Sequence, residues 1–361
     1  MIINYITYDS WWDTDKTILP KLCSEGYEVN CFVINPTKEE IKFPNKKIQG
    51  LKRTVVIEQD CRDRNPLAII KAIYLMTILL KSIYKRNTYN VFVPGKNPWF
   101  QYLFILLAPK NKTILCIHNF EEHSGGNRLF LLELLKKTNF RHFNNFLFYS
   151  KSQYRNFKNA YPYKRAYYFN MPLKDFGSPK NISEDGRFRF LFFGFIKEYK
   201  GFDIFLKAAN SISNPEALFV IAGNCSEWDK YESLITDKKK FALNIRFIHS
   251  EEVADFFCNA EFLVLPYNDA TQSGPMLIAL HYNLPIIASN LPEFKDLISD
   301  GVNGLIFKKG DVCDLTAVLK KALTMDRKDY DKMKENQKRT AIKYQESCNI
   351  EDVFKEITQY Q

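Results

Sequence analysis

Short apolar strands alternate with helical segments along almost the whole chain, and this alternation restricts the fold more than any other feature. In the first half, Ile2–Tyr8 is a predicted buried strand and Thr14–Ser24 a predicted helix. In the second half, Phe188–Phe195 and Asn244–Ile248 are predicted strands, and Phe202–Ser213 is a predicted helix. Because such alternation builds parallel βαβ units, the sequence predicts an α/β protein with two doubly wound, Rossmann-like domains.

A break near the middle of the chain separates the two series of strands and helices. Residues 170–180 contain two prolines and a glycine, which is typical of an interdomain linker. We predict one domain over residues 1–170, a second over 171–340, and a C-terminal helix over 341–361 that returns to the first domain. Two such domains are expected to face a cleft at the carboxyl ends of their strands, where open α/β folds bind ligands.

The composition fits a globular protein and argues against several other classes. The eight cysteines are scattered without a CxxC pair, so no zinc cluster is indicated and reduced, cytoplasmic thiols are expected. The most apolar stretch is Leu67–Lys85, but Lys71 and Lys81 interrupt it, and the uncharged run is too short to span a bilayer. The N-terminus lacks the pattern of a signal peptide.

Positive charge is concentrated in the first half. Residues 1–180 carry 28 Lys and Arg against 14 Asp and Glu, a net +14, whereas residues 181–361 carry 23 against 27, a net −4. This asymmetry predicts that the first half meets an anionic partner, such as a phosphorylated molecule or the inner face of a membrane. A nucleic acid is not expected, because no recognition motif for one is present.

The segment from Phe188 to Gly201, FRFLFFGFIKEYKG, carries the first candidate site. An apolar strand enters a turn at Gly194, and Lys197 and Lys200 precede the next helix. A strand-to-helix turn directs backbone N–H groups and the positive end of a helix at one point, and lysines add charge there. The pattern predicts a site for a phosphorylated ligand.

A second anion-binding loop is predicted between the strand that ends at Pro266 and the helix that begins near Gly274. This loop contains Thr271, Gln272 and Ser273, and its N–H groups lie at a helix start. The alternative is an ordinary helix N-terminus with Ser273 as the N-cap.

Taken together, the order GFIKEYKG, VIAGN, LPYNDATQSG and NLPIIASNLPEF resembles the C-terminal, donor-binding domain of family 4 glycosyltransferases of the GT-B fold. The resemblance covers roughly residues 188–325, and its closest match is the branch with YKG and TQSG loops. It implies a retaining enzyme that takes a nucleotide-diphosphate sugar and needs neither a metal nor a cofactor. It also implies a donor-binding second domain and an acceptor-binding first domain.

The resemblance assigns donor-binding roles along the second half. Lys200 matches the family's diphosphate lysine, whereas the usual arginine position is Phe195 and Lys197 replaces its charge. The family's two paired glutamates correspond to Ala270 and Ile278. The full set of donor-binding candidates is Gly194, Lys197, Lys200, Gly223, Thr271, Gln272, Ser273, Gly274 and Glu293, of which Glu293 also fits a structural role.

In the first half, the predicted strand Thr113–His118 ends at His118, and the resemblance places a histidine at this point, so His118 fits as a catalytic residue beside Lys200. His118 also fits a hydrogen-bonded strand-end histidine, and His123 is a candidate for acceptor binding or for orienting His118. Trp11 and Trp12 follow the first strand, where indoles either stack on an acceptor sugar or pack beneath the loop.

The sequence therefore predicts a metal-independent, retaining glycosyltransferase. Its expected acceptor is a saccharide or a lipid-linked saccharide in surface polysaccharide biosynthesis. The alternative is a catalytically inactive glycosyltransferase-like binding or scaffolding subunit, which the missing glutamates and Phe195 favour.

Overall fold

The computed structural model describes residues 1–35, 48, 50–58, 66–95, 104–117, 137–270 and 272–359. The chain divides into two compact units. The first comprises Met1–Pro172 together with the segment from Cys348 onwards, and the second comprises Leu173–Ser347. The domain boundaries predicted from the sequence lie after residues 170 and 340.

The first unit is built on a parallel sheet of seven strands within the described residues. The strand order is β3-β2-β1-β4-β5-β6-β7. Its strands are β1 (Ile2–Tyr8), β2 (Glu28–Asn35), β3 (Leu51–Glu58), β4 (Thr88–Phe92), β5 (Thr113–Ile117), β6 (Asn145–Phe148) and β7 (Arg165–Tyr168). This order is that of a doubly wound fold, with its topological switch point between β1 and β4.

Helices cover the strands of the first unit. They include Trp12–Ser24, Pro66–Ile83, Lys151–Ala160 and Ile350–Gln359. The last of these packs on the first: Lys21 Nζ donates to the Cys348 carbonyl over 3.0 Å, and the rings of Tyr27 and Phe354 lie 5.7 Å apart. The C-terminal segment thus completes the first unit.

The helix Pro66–Ile83 presents several large apolar side chains to solvent. Leu67 is 74% exposed, and Ile70, Ile73 and Tyr74 are similarly exposed. No helix among the described residues is both long enough and apolar enough to cross a membrane.

The second unit contains a parallel sheet of six strands, in the order β10-β9-β8-β11-β12-β13. The strands are β8 (Phe188–Phe193), β9 (Ala217–Ala222), β10 (Phe241–Asn244), β11 (Phe262–Leu265), β12 (Ile286–Ser289) and β13 (Gly304–Phe307). Aromatic residues fill its core; Phe190 and Phe219 are paired in register and their rings stack at 5.4 Å. The prediction of two doubly wound sheets is therefore confirmed.

The helices of the second unit follow its strands. They are Phe202–Asn210, Trp228–Glu232, Ser250–Cys258, Gly274–His281, Pro292–Lys295, Val312–Leu323 and Arg327–Glu346. The switch point of this sheet lies between β8 and β11, so the segments that follow these two strands are neighbours.

The predicted strand Asn244–Ile248 is wrong. The strand ends at Asn244, and its residues from Phe241 pair with β9. Beyond it, the Arg246 guanidinium binds the Glu252 carboxylate and the Phe247 carbonyl, which turns the chain into the next helix. An apolar run alone does not show whether its backbone is bonded to a neighbouring strand.

Gly201 allows a close approach between two loops of the second unit. It has φ +63°, and a Cβ atom at this position would lie 1.9 Å from the Pro266 carbonyl oxygen. Gly186 has a similar φ of +69°, but a Cβ there would meet no atom within 4 Å. A comparison of substitutions at the two glycines therefore separates the cost of backbone strain from the cost of steric overlap.

We expect Gly201→Ala to destabilise the second unit more than Gly186→Ala. The left-handed backbone costs an alanine about 1–2 kcal/mol at either position. Overlap with Pro266 adds about 1–3 kcal/mol at Gly201 only. Urea unfolding of both variants measures the difference in free energy, and equal losses would contradict the close approach.

Candidate functional site

Lys200 places a buried ammonium group at the switch point of the second sheet. It ends a single 3-10 turn, Glu198–Lys200, and the whole residue is only 8% exposed. No hydrogen bond or ion pair to its Nζ is found within the described ranges. Because an unpaired buried charge is unfavourable, this group calls for an anionic partner.

Two neighbours shape the electrostatics of Lys200. Burial lowers the pKa of its ammonium below the ordinary value, while the Tyr199 phenol acts in the opposite direction. The exposed Lys197 also lowers this pKa, because its like charge lies near enough to repel a second one. The two lysines thus create a local positive potential that an anion would relieve.

The N-terminus of the helix Gly274–His281 meets Lys200 across Gly194. A Cβ atom on Gly194 would lie 3.2 Å from Lys200 Nζ and 3.6 Å from Pro275 Cγ, so these two atoms are at most 6.8 Å apart. A Cβ on Gly274 would contact nothing within 4 Å, which leaves the first helical turn open. The helix dipole and the ammonium group therefore act on one small region.

The Ser273 side chain is the N-cap of this helix. Its Oγ accepts a hydrogen bond of 3.3 Å from the Met276 N–H, and the residue is buried. The capping alternative is thus correct for the hydroxyl. At this position, the groups left to bind a ligand are the backbone N–H groups of the first helical turn.

Gly194 and Gly223 bring the ends of β8 and β9 together. A Cβ on Gly223 would lie 2.1 Å from the Gly194 carbonyl oxygen, so only a glycine permits this approach. Gly194 itself has φ +99°, which ends the strand and opens the turn toward Lys200. Both predicted glycines therefore shape the loop that holds the ammonium group.

Aromatic rings enclose Lys200, and none of them was predicted as a site residue. The Tyr267 ring centroid lies 5.5 Å from Lys200 Nζ, which is the distance of a cation–π contact. Tyr199 packs against Tyr267 at 6.0 Å with an interplanar angle of 83°, and Phe294 packs against it at 5.5 Å. The signals were present as the tyrosines of EYKG and LPYN, directly beside the predicted residues.

The other predicted donor residues have less defined surroundings. Gln272 is half-buried next to Ser273, and Glu293 is half-buried in the short helix Pro292–Lys295, beside the Phe294 that packs on Tyr267. Ala270 and Ile278, which the resemblance aligned with a pair of glutamates, are both buried.

Three predicted site residues, Thr271, His118 and His123, lie outside the described residues and stay predictions. Within the ranges that the structure describes, no three His, Cys, Asp or Glu side chains are grouped so that they could hold a metal ion.

In the first unit, Trp11 lies at the switch point between β1 and β4. Its indole N–H donates to the Pro94 carbonyl over 3.1 Å, and its ring packs on the hydrophobic core. Trp12 is half-buried at the start of the first helix. The buried Asp15 carboxylate accepts hydrogen bonds from Tyr5 and Thr7, and these bonds fix this helix to β1.

Residues 174–340 match the family model described as glycosyl transferases group 1. This range corresponds closely to the second unit and includes the whole environment of Lys200.

A curated relative matches part of the chain. An uncharacterized 41.2 kDa protein in the cps region of Klebsiella pneumoniae is 23% identical over 140 residues. The alignment covers 39% of this chain and only 38% of that relative.

Solved structures match the whole chain. HepE from Anabaena in complex with UDP and glucose matches with a TM-score of 0.71 and 13% identity, covering 100% of both chains. Sucrose-phosphate synthase from Thermosynechococcus elongatus matches with a TM-score of 0.68 and 12% identity, covering 100% of this chain and 98% of its own. At these identities the likeness establishes the fold, which is of the GT-B class.

We expect Lys200→Met to stabilise the fold. Methionine keeps the apolar stem and removes an unpaired buried charge, so the free energy of unfolding should rise by about 1 kcal/mol or more. Lys207→Met is the matched control, because Lys207 is exposed and forms a surface pair with Asp203 at 3.1 Å. Its effect should stay within about 0.5 kcal/mol.

The gain from Lys200→Met should shrink as the pH rises. The pKa of Lys200 is lower in the folded than in the unfolded chain, so the unfolded state binds more protons. The wild type therefore gains stability as the pH rises through the folded-state pKa toward the unfolded value. Urea unfolding at neutral and alkaline pH measures this trend, and a loss of stability in Lys200→Met at neutral pH would contradict the unpaired charge.

Proposed function

We propose that this chain is a retaining glycosyltransferase that transfers a sugar from a nucleotide-diphosphate sugar. The observation that carries the proposal is the buried Lys200 ammonium, which has no counter-ion in the described residues and lies across Gly194 from an open helix N-terminus. A diphosphate supplies the negative charge that this arrangement lacks. The match of residues 174–340 to group 1 glycosyl transferases supports the same assignment.

The proposed chemistry depends on stabilising the leaving group. The bond between the sugar C1 and the diphosphate oxygen breaks, and its electron pair moves onto that oxygen. An acceptor hydroxyl forms the new bond to C1, and its proton passes to the departing diphosphate oxygen. Lys200 and the first turn of the helix Gly274–His281 lie where the departing charge would be bound, and loss of one such group typically costs about 100- to 1000-fold in rate.

The structural relatives suggest a first donor to test. The solved HepE structures contain UDP, UDP with glucose, and UDP-glucose. We propose a uridine diphosphate sugar as the donor on this basis. No metal or other cofactor is included in the proposal, because Lys200 and the helix N-terminus supply the positive charge themselves.

The acceptor is proposed to be a saccharide or a lipid-linked saccharide in surface polysaccharide biosynthesis. The Klebsiella relative is described as a protein in the cps region, which supports a role of this kind. The net charge of +14 over residues 1–180 suits an acceptor that carries phosphate.

We further propose that the protein is cytoplasmic and contacts the inner face of an anionic membrane. The exposed side chains of Leu67, Ile70, Ile73, Tyr74, Lys81, Tyr84, Lys85 and Arg86 form what we call the 67–86 surface. Its positions 67, 70, 74 and 81 recur with the spacing of one helix face. Apolar residues followed by three cations suit insertion beside anionic lipid headgroups.

The donor proposal predicts that one nucleotide diphosphate binds and that its sugar conjugate is turned over. A thermal-shift screen with UDP, GDP, CMP and their sugar conjugates identifies the ligand, because binding to the folded state raises stability. Lys200→Met should then lower turnover by about 100-fold or more, with Lys207→Met unchanged. Turnover should also be unchanged in EDTA.

The outcomes of this screen separate the two functional classes. Normal turnover by Lys200→Met, or dependence on Mg²⁺ or Mn²⁺, would contradict the proposed mechanism. Nucleotide binding without transfer or hydrolysis would favour the inactive binding subunit instead. The buried, uncharged Ala270 and Ile278 at the glutamate positions make this comparison necessary.

The membrane proposal predicts flotation with vesicles that contain anionic lipid. Binding should fall when salt is raised, because the Debye length shrinks from about 10 Å at 0.1 M to about 3 Å at 1 M. Ile70→Glu combined with Ile73→Glu should reduce binding, whereas Ile182→Glu, at an exposed isoleucine of the second unit, should not. Equal flotation of all variants would exclude the 67–86 surface.

A further inference from the structure

Tyr267 carries a buried hydroxyl group that none of the described residues satisfies. The residue is 2% exposed, and its hydroxyl oxygen has no hydrogen-bond partner in the part of the chain that is described. Its backbone is firmly placed, since the Tyr267 carbonyl accepts a 2.7 Å hydrogen bond from Ser289 Oγ. The large majority of buried side-chain polar atoms are hydrogen-bonded in native proteins, so this hydroxyl requires an explanation.

Packing does not explain the hydroxyl. The ring contacts Tyr199, Phe294 and the Lys200 ammonium, and a phenylalanine would make all three contacts. An unpaired buried hydroxyl costs about 1–3 kcal/mol. The tyrosine is therefore less favourable for folding than phenylalanine at the same position.

The position of the ring indicates what the hydroxyl serves. Tyr267 follows β11, which borders the switch point, and Lys200 Nζ lies 5.5 Å from its ring centroid. Ser273, the N-cap of the helix Gly274–His281, lies near the phenol and lowers its pKa, whereas burial raises that pKa. No hydrogen bond of normal geometry joins the Ser273 and Tyr267 hydroxyls. The Ser273 hydroxyl is instead engaged with the Met276 N–H. The phenol thus lies beside both groups that are directed at an anion.

We propose that the Tyr267 hydroxyl donates a hydrogen bond to the diphosphate bound between Lys200 and the helix N-terminus. The proposal rests on the function proposed above. It makes Tyr267 a third ligand of the leaving group, with its ring also fixing the direction of the Lys200 ammonium. When the sugar C1–O bond breaks, the electron pair goes to the diphosphate oxygen, and Tyr267 keeps its proton while its hydrogen bond strengthens.

The protonation state of Tyr267 agrees with this role. Burial raises the pKa of its phenol well above the ordinary value, so the hydroxyl stays protonated at neutral pH. A group that stays protonated is a permanent donor and does not exchange charge with the ligand.

The test is Tyr267→Phe, measured for both stability and ligand affinity. Removing the unsatisfied hydroxyl should leave the melting temperature unchanged or raise it. The dissociation constants for UDP and for inorganic pyrophosphate should rise about 10-fold, because a hydrogen bond to a charged group is lost. Tyr267→Leu, which also removes the ring beneath Lys200, should weaken both ligands further.

Tyr330→Phe is the matched control. Its hydroxyl donates a 2.9 Å hydrogen bond to the Glu261 carbonyl and lies in the same unit. This variant should lose stability and bind UDP and pyrophosphate as the wild type does. Tyr330→Phe is thus expected to lower stability and leave affinity unchanged, whereas Tyr267→Phe is expected to lower affinity without lowering stability.

Each outcome decides between the proposals. Wild-type affinity in Tyr267→Phe, together with weak binding in Lys200→Met, would overturn the role of the hydroxyl and leave the donor site standing. A stability loss in Tyr267→Phe equal to that in Tyr330→Phe would show that the hydroxyl has a protein partner, and would also overturn it. Failure of the wild type to bind any nucleotide diphosphate or pyrophosphate would overturn both proposals.

Discussion

A buried positive charge with no counter-ion among the described residues determines the character of the candidate site in the second unit. Lys200 is held in place by the left-handed Gly201, by the open turn at Gly194 and by the ring of Tyr267. None of these neighbours neutralises it. A protein that needed only stability would place an apolar residue at this position, which agrees with the proposed role of the charge as a binding group preorganised for an anion.

Tyr267 likewise carries a buried polar group that is unfavourable for folding. Lysine and tyrosine occupy one small volume and each leaves a polar group unsatisfied by the described residues. Unfavourable groups of this kind are concentrated at functional sites, where a ligand restores the missing interactions. The rest of the second unit, with its stacked phenylalanines in the core, supplies the stability that these groups reduce.

Much of this organisation could be predicted from the sequence. The strand Ile2–Tyr8 has the predicted limits, because both faces of a parallel strand are buried and most of its residues are apolar. Lys200, Gly194 and Ser273 were predicted because strand-to-helix turns have recognisable composition. Two doubly wound sheets followed from the alternation of strands and helices, and the strand orders bear this out.

The features that the sequence did not predict depend on contacts that local periodicity does not show. The end of β10 at Asn244 is set by pairing with β9 and by the Arg246–Glu252 ion pair, neither of which local periodicity reveals. Tyr267 was missed because a tyrosine after an apolar strand is usually a core residue. The proposed role of its hydroxyl follows only from the contact between its ring and the ammonium of Lys200, which lies 67 residues earlier in the chain.

The path of the chain through the two units has a consequence for how the protein assembles. The second unit is continuous, from Leu173 to Ser347, whereas the first is made from both ends of the sequence and includes the helix Ile350–Gln359. During synthesis on a ribosome, the second unit is complete before the first receives its last helix. The unit with the strongly basic sequence therefore finishes folding only after the unit with the buried lysine has emerged.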